Sequence, residues 1–466
     1  MINKNETNND IDKVIVYQNK KIDLINKKNK DNMQELEERI NVSENLLNDL
    51  GINIRIDDVS LKTRNKVLSM SSWDELVNLA KSEIEGQAKI ESIFTDKEIK
   101  ENERYVSALR EDFDSLHRLD EYDYMICAIG SLIASLIDIM LVGIPVSPTS
   151  DGIKAGSLAN YVRKLFENKY GTDEIQKLAN SYDAKVPYDL QHNIMNAKNM
   201  VDVQINGLCP QYHRLFSLGH DPFIGFIIGV LDIMNGTITT IDKKSKLVRQ
   251  VVKYTDLSKR IETDYIQAIL KQINHLKTDI ATDMGLPAPL MGLFNFLDLG
   301  EIEYVMNRGN GKGTIAEIIQ QMYYNGFDFI HFCSQSLSVA VLEIFVRVAY
   351  SIKRVKEGFS LKESIPELPP LKINREKHPK IATMLFLSHS GAVAINSGKI
   401  CFTKNPLSIN YAEWMAFALY SFNQIKWVLI DKPILRENYI NGILDKEFDE
   451  VFVDIDAFVK NYNSSK

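Results

Sequence analysis

The sequence predicts a mainly α-helical protein: a large, bundle-like fold with glycine-ridged apolar helices at its centre and at most a minor β-hairpin. Three observations carry this. Apolar residues recur at three- and four-residue spacing over much of the chain, the period of a helix face. Ser72 with Glu75, Thr95 with Glu98 and Thr314 with Glu317 form the S/T-x-x-E boxes that open helices. An apolar phrase ending in aspartate recurs as GSLIASLIDIM at 130–140, GFIIGVLDIM at 225–234 and, more weakly, GLFNFLDLG at 292–300.

Composition bounds the class. The 466 residues are 45% hydrophobic and 25% charged, ordinary for a globular protein of two or three domains. The net charge of −7 leaves no basic footprint, so no nucleic-acid partner is expected. Cys127, Cys209, Cys333 and Cys401 lie far apart, which reads as free thiols in a reducing compartment. The polar N-terminus lacks the apolar core of a secretory signal. The expected location is cytoplasmic, with peripheral or conditional insertion at the inner membrane.

Residues 1–51 read as one heptad-like helix. Ile22, Ile25, Met33, Leu36, Ile40, Leu47 and Leu50 supply the apolar positions and Gly51 the stop. Residues 11–50 can pair with a partner helix or a second copy, giving a homo-oligomer, or pack on their own domain. Residues 52–120 form a polar helical region, and 121–357 an apolar helical core carrying the Gly/Asp phrase. Within that core, 238–252 reads as a short hairpin around Lys243–Lys246 or the start of a helix. Residues 256–280 read as an amphipathic helix with Ile266, Leu270 and Ile273. Pro366, Pro369, Pro370 and Pro379 make 358–380 a loop or linker. Residues 381–466 close the chain as a C-terminal helical region, in which 392–402 can instead form a hairpin over Asn396–Gly398.

Small residues at four-residue spacing predict close helix packing. They are Gly130 with Ala134, Gly225 with Gly229, and Ser390 with Ala394 and Gly398. The acids of the repeated phrase, Asp138, Asp232 and Asp298, are expected to be buried near helix C-termini. Both burial and the helix dipole oppose a negative charge there, so each needs a cation or donor. Arg214, Arg308 and Arg347 are the candidates, although Glu343 stands one turn before Arg347.

Five apolar stretches bear on membranes: 125–146, 222–234, 284–297, 328–346 and 381–398. Only the first and last approach the ~20 residues of a spanning helix. The leading functional reading is a non-enzymatic, membrane-interacting protein, a pore-like or defence-type effector held soluble until triggered, with lipid as partner. A second reading is an oligomeric scaffold assembled through the N-terminal helix.

The third reading rests on YHRLFSLGHDP at 212–222. It makes His213, His220 and Asp221 the catalytic candidates of a metal-dependent hydrolase, with His192 and Asp242 as further nominees. The competing reading makes Asp221 a helix N-cap, with Pro222 in the first turn. The string NRGNGKGT at 307–314 departs from a phosphate loop, because Gly313 follows Lys312. Lys312 and Thr314 remain candidates for an anion-binding loop, against a plain connection capped by Thr314. No motif demands a cofactor or metal, and none is expected on this ground.

Overall fold

The computed structural model describes residues 4–49, 72–84, 90–145, 156–189, 213–242, 246–253, 257–280, 282, 285–306, 309–368 and 373–464. These are mainly α-helical, with two small antiparallel two-stranded sheets among them. The chain divides into two units, residues 1–113 with 440–466, and residues 114–439.

The first unit holds α1 (Lys4–Asp49), α2 (Trp73–Glu83) and most of α3 (Asp96–His117). The Ser72–Glu75 box opens α2 with both of its reciprocal bonds made. Val14 and Tyr17 of α1 pack against Ala80 and Ile84. Beyond Tyr17 the apolar positions Ile22, Ile25, Met33, Leu36 and Ile40 are exposed. Leu50 and the stop at Gly51 lie outside the described residues.

The second unit begins with α4 (Glu121–Leu136), which runs on through a π-helical turn, Ile137–Val142. α5 (Ser157–Tyr170), α6 (Asp173–Asn180), α7 (Gly225–Asn235) and α8 (Tyr265–Asp279) follow. Then come α9 (Ile315–Tyr324), α10 (Phe329–Lys356), α11 (Ile381–Thr403) and α12 (Tyr411–Lys426). α13 (Lys432–Ser464) starts here. Strands β1 (Thr237–Ile241) and β2 (Leu247–Val251) form one hairpin, with Thr237 opposite Val251. Strands β3 (Ile302–Met306) and β4 (Gly309–Gly313) form the other.

α4, α10, α11 and α12 build a bundle whose core includes Cys127, Ala134, Leu342, Met384, Leu385 and Ala392. Gly130 is buried in the seam, where an added Cβ would stand 3.0 Å from Val346 Cγ2. The α11 ridge differs from the expected one. Ala394 and Gly398 are exposed, and a Cβ at Gly398 meets nothing within 4 Å. Ser390 turns its hydroxyl back to the Phe386 carbonyl at 2.7 Å. The close approach lies one residue round the helix, at Gly391, where a Cβ would come 2.5 Å from Ser131 Oγ. At 392–402, where the sequence left a hairpin and a helix open, the structure is helical. Asn396 spends its amide on the Ser408 carbonyl at 3.0 Å rather than on a turn.

The three acids part company. Asp138, buried on the π-turn, takes Lys399 Nζ at 2.7 Å, not one of the arginines. Arg347 is held by Glu343 at 2.8 Å. Asp232 accepts from Thr237 Oγ1 at 2.5 Å and from Thr239 N and Oγ1, both at 2.8 Å, with Arg249 Nε 3.5 Å away. The β1 strand that follows its helix thus supplies the donors the carboxylate requires. Asp298 is exposed, contrary to expectation: the third phrase forms only a short 3-10 turn, Met291–Phe296, and the chain surfaces after it.

Candidate metal centre

The glycine pair of α7 positions the site. A Cβ on Gly225 would stand 2.6 Å from the Gly219 carbonyl oxygen, and one on Gly229 would stand 2.5 Å from Gln272 Oε1. Only glycine lets the α7 backbone close onto both the turn carrying His220 and the side of α8 carrying Gln272. Gln272 Nε2 completes the contact by donating to the Gly219 carbonyl at 2.8 Å. Asp264 caps α8 by accepting from Gln267 N at 2.8 Å. That helix buries Ala268, Gln272, His275, Leu276 and Asp279, while Ile266, Leu270 and Ile273 face outward.

His213, His220, His275, Asp189 and Asp279 come together here, all buried. The His220 ring centroid lies 5.0 Å from that of His213 and 5.1 Å from that of His275. The Tyr188 ring stands edge-on to it at 4.9 Å. His213 Nε2 is 3.1 Å from Asp189 Oδ1. Asp279 Oδ2 lies 3.4 Å from His275 Nε2 and 3.7 Å from His220 Nε2. Arg214 Nη2 donates to the other oxygen, Asp279 Oδ1, at 3.0 Å.

Proton bookkeeping shows what is missing. His275 Nδ1 sits 3.0 Å from the Ala184 carbonyl oxygen. A carbonyl only accepts, so Nδ1 carries a proton and Nε2 is turned toward Asp279 Oδ2. Among the described residues neither of those atoms has a hydrogen-bond partner, and neither do the two ring nitrogens of fully buried His220. Burial, with His213 and His275 beside it, pushes His220 well below the ordinary imidazole range, so it is neutral. Burial opposes the charge on Asp189, but the His213 hydrogen bond and the field of His275 hold its carboxyl well below the usual range. Each unsatisfied buried polar group costs about 1–3 kcal/mol. Four such atoms converging from three side chains call for a shared cation or for extra protons.

Two overlapping sets fit a cation: Asp189 with His213 and His220, and His220 with His275 and Asp279. Within each set one atom per residue lies within 4.8 Å of the others. Imidazole and carboxylate without thiolate suit zinc, iron, manganese, cobalt or nickel. The Ala184 carbonyl on His275 and the Arg214 guanidinium on Asp279 are the outer contacts that orient such ligands.

The sequence-derived candidates separate. His213 and His220 are in the cluster; Asp221 is not. Its Oδ1 accepts from Phe223 N at 2.8 Å and Ile224 N at 3.0 Å, and its Oδ2 from Leu290 N. With its oxygens spent on backbone, Asp221 caps α7 and ties it to the Leu290 loop. Asp242 accepts from Lys246 N at 2.9 Å in the β1–β2 turn, and His192 lies outside the described residues. Lys312 pairs with Glu301 at 2.7 Å, and Thr314 closes its box with Glu317. Both anion-loop candidates therefore already have partners. Sequence reasoning missed Asp189, His275 and Asp279. His275 and Asp279 stand at i and i+4, a spacing that puts two ligands on one helix face. Asp189 carries no local signal.

Fold and cluster together define a mainly α-helical protein with a buried His–Asp centre. Comparison with protein-family profiles, with curated proteins and with solved structures finds no match.

Proposed function

We propose that this chain is a metal-dependent hydrolase whose centre is held by His213, His220, His275, Asp189 and Asp279. One observation carries the reading: His220, fully buried beside two further histidines and two aspartates, has no hydrogen-bond partner on either ring nitrogen among the described residues. Such a ligand set suits a zinc-class ion, which activates a bound water at neutral pH. The protein's own part is to fix the imidazole tautomers, as the Ala184 carbonyl does for His275, and to orient Asp279 through Arg214. The test is hydrolysis of simple phosphoester and carboxylic-ester substrates by the full chain. Turnover should vanish with chelator, return with added zinc or manganese, and be absent in His220→Ala. A metal-loaded protein inert on every ester tried would remove hydrolysis from the proposal.

A second reading is favoured by a separate observation. Met125, Ile129, Leu132, Leu136 and Met140 of α4 and its π-turn form an exposed apolar stripe. Val341, Ile344, Val348 and Ile352 form another on α10. The same bundle holds the Asp138–Lys399, Glu343–Arg347 and His389–Glu413 pairs inside. Two exposed apolar stripes on one bundle suit contact with lipid, and buried ion pairs beside its apolar core keep the charges away from that surface. Asp96–Val142 and Phe329–Lys356 are long and apolar enough to cross a membrane by length and composition. This supports a membrane-interacting bundle, of the pore-like or effector type. Flotation of the full chain with anionic and zwitterionic vesicles tests it, and recovery solely in the lipid-free fraction under all conditions would sink it.

A further inference from the structure

A cavity of about 980 Å³ lies between the β3–β4 hairpin, α9, the Met291–Phe296 turn and the segment joining α11 to α12. Interiors pack to near-crystalline density, so a void of this size is not ordinary core. It matches the volume of small-molecule sites. Its floor is apolar and buried, formed by Met291, Ile318, Met322 and Phe327. Tyr411 adds a ring but little polarity, because its hydroxyl already donates to the Pro289 carbonyl at 2.9 Å.

The rim is polar and carries both signs, with Glu303, Lys312 and Lys404 on it. Lys312 is paired with Glu301 at 2.7 Å and stands opposite Glu303 in the hairpin register. Lys404 is exposed, ends α11 in a left-handed conformation at φ 52°, and is anchored by its carbonyl, which accepts from Val305 N at 2.8 Å. Among the described residues no carboxylate lies within ion-pair distance of Lys404.

We infer that this cavity takes the acyl tail of a single-chain anionic amphiphile, with its head group at Lys404. An apolar floor under an ammonium with no carboxylate in ion-pair distance among the described residues fits that chemistry, whether the source is a free fatty carboxylate or a lysophospholipid. The inference is independent of the metal centre, and its test reads no hydrolysis.

The experiment is calorimetric titration of the full chain with decanoate, dodecanoate and an anionic lysophospholipid, each below its micellar concentration. One molecule should bind per chain, and each two-carbon extension should tighten binding on the order of tenfold. The two head groups distinguish the sources: the tighter binder identifies which one the rim fits. Ile318→Trp and Met322→Trp fill the floor and should weaken binding at least tenfold. Lys404→Glu, at an exposed position, should weaken dodecanoate and favour dodecyltrimethylammonium. Absence of saturable binding by the folded wild type overturns the inference, as does unchanged affinity in a folded floor variant. If the floor variants do not fold, unchanged head-group preference in Lys404→Glu overturns it alone.

Discussion

His275 Nε2 and Asp279 Oδ2 stand 3.4 Å apart, one turn from each other on α8, and neither has a hydrogen-bond partner among the described residues. The Ala184 carbonyl holds the imidazole proton on the far nitrogen, and Arg214 occupies the other carboxylate oxygen. Both side chains are thus oriented, with their free atoms aimed at one point.

Asp279 variants separate ligation from folding. Asp279→Asn keeps the shape and should retain a cooperative fold while lowering metal affinity by at least the roughly 10- to 100-fold that follows loss of a group orienting a ligand. Asp279→Ala leaves Arg214 buried without its carboxylate and should cost about 3–5 kcal/mol of stability. Denaturant melts together with metal titrations read the two effects apart.

Glycine substitutions test the packing that builds the site. Gly229→Ala drives a Cβ to 2.5 Å from Gln272 Oε1 and should cost about 1–3 kcal/mol. Gly398→Ala meets nothing within 4 Å and should be neutral or stabilising by up to about 1 kcal/mol, through helix propensity. Equal melting temperatures for the two variants would contradict the assigned seams.

The Asp138–Lys399 pair joins the π-turn after α4 to α11. Lys399→Met alone strands a buried carboxylate and should destabilise by about 3–5 kcal/mol. Adding Asp138→Asn should recover most of that loss. A double variant as unstable as the single would show that the pair does not act as a unit.

Burial pushes Lys271 down to about 8 from 10.5, with its ammonium 3.0 Å from the Lys259 carbonyl and over the Tyr182 ring. Between those two values the unfolded chain holds a proton that the folded chain does not. The unfolded state therefore binds more protons, and this group's contribution makes stability rise with pH across that window. The difference between wild type and Lys271→Met should change by about 2–3 kcal/mol from pH 8 to 10.5 and be flat below pH 8. Denaturant midpoints of both proteins across that range check it.

Much of the local structure was legible. The capping boxes at Ser72 and Thr314 and the close approach of Gly225 and Gly229 follow from residue type and spacing, whereas 238–252 left a hairpin and a helix start open and the structure shows the hairpin. Which face turns inward was not legible. Apolar periodicity points Ile266, Leu270 and Ile273 to the core, yet α8 buries its polar ligands and turns those residues out. Asp298 and the Ser390–Ala394–Gly398 ridge mislead for a related reason: a repeated phrase does not specify which neighbour covers it. The cluster residues themselves are scattered in sequence, and Asp189 and Asp279 meet His213 and His220 only in the folded chain.

The most direct test is the metal content of the full chain purified without chelator, read by inductively coupled plasma mass spectrometry beside His220→Ala and Asp221→Asn. The account predicts a transition metal near stoichiometric in wild type and Asp221→Asn and lost from folded His220→Ala. Metal-free wild type that takes up no zinc, iron, manganese, cobalt or nickel, or equal metal in folded His220→Ala, would contradict it.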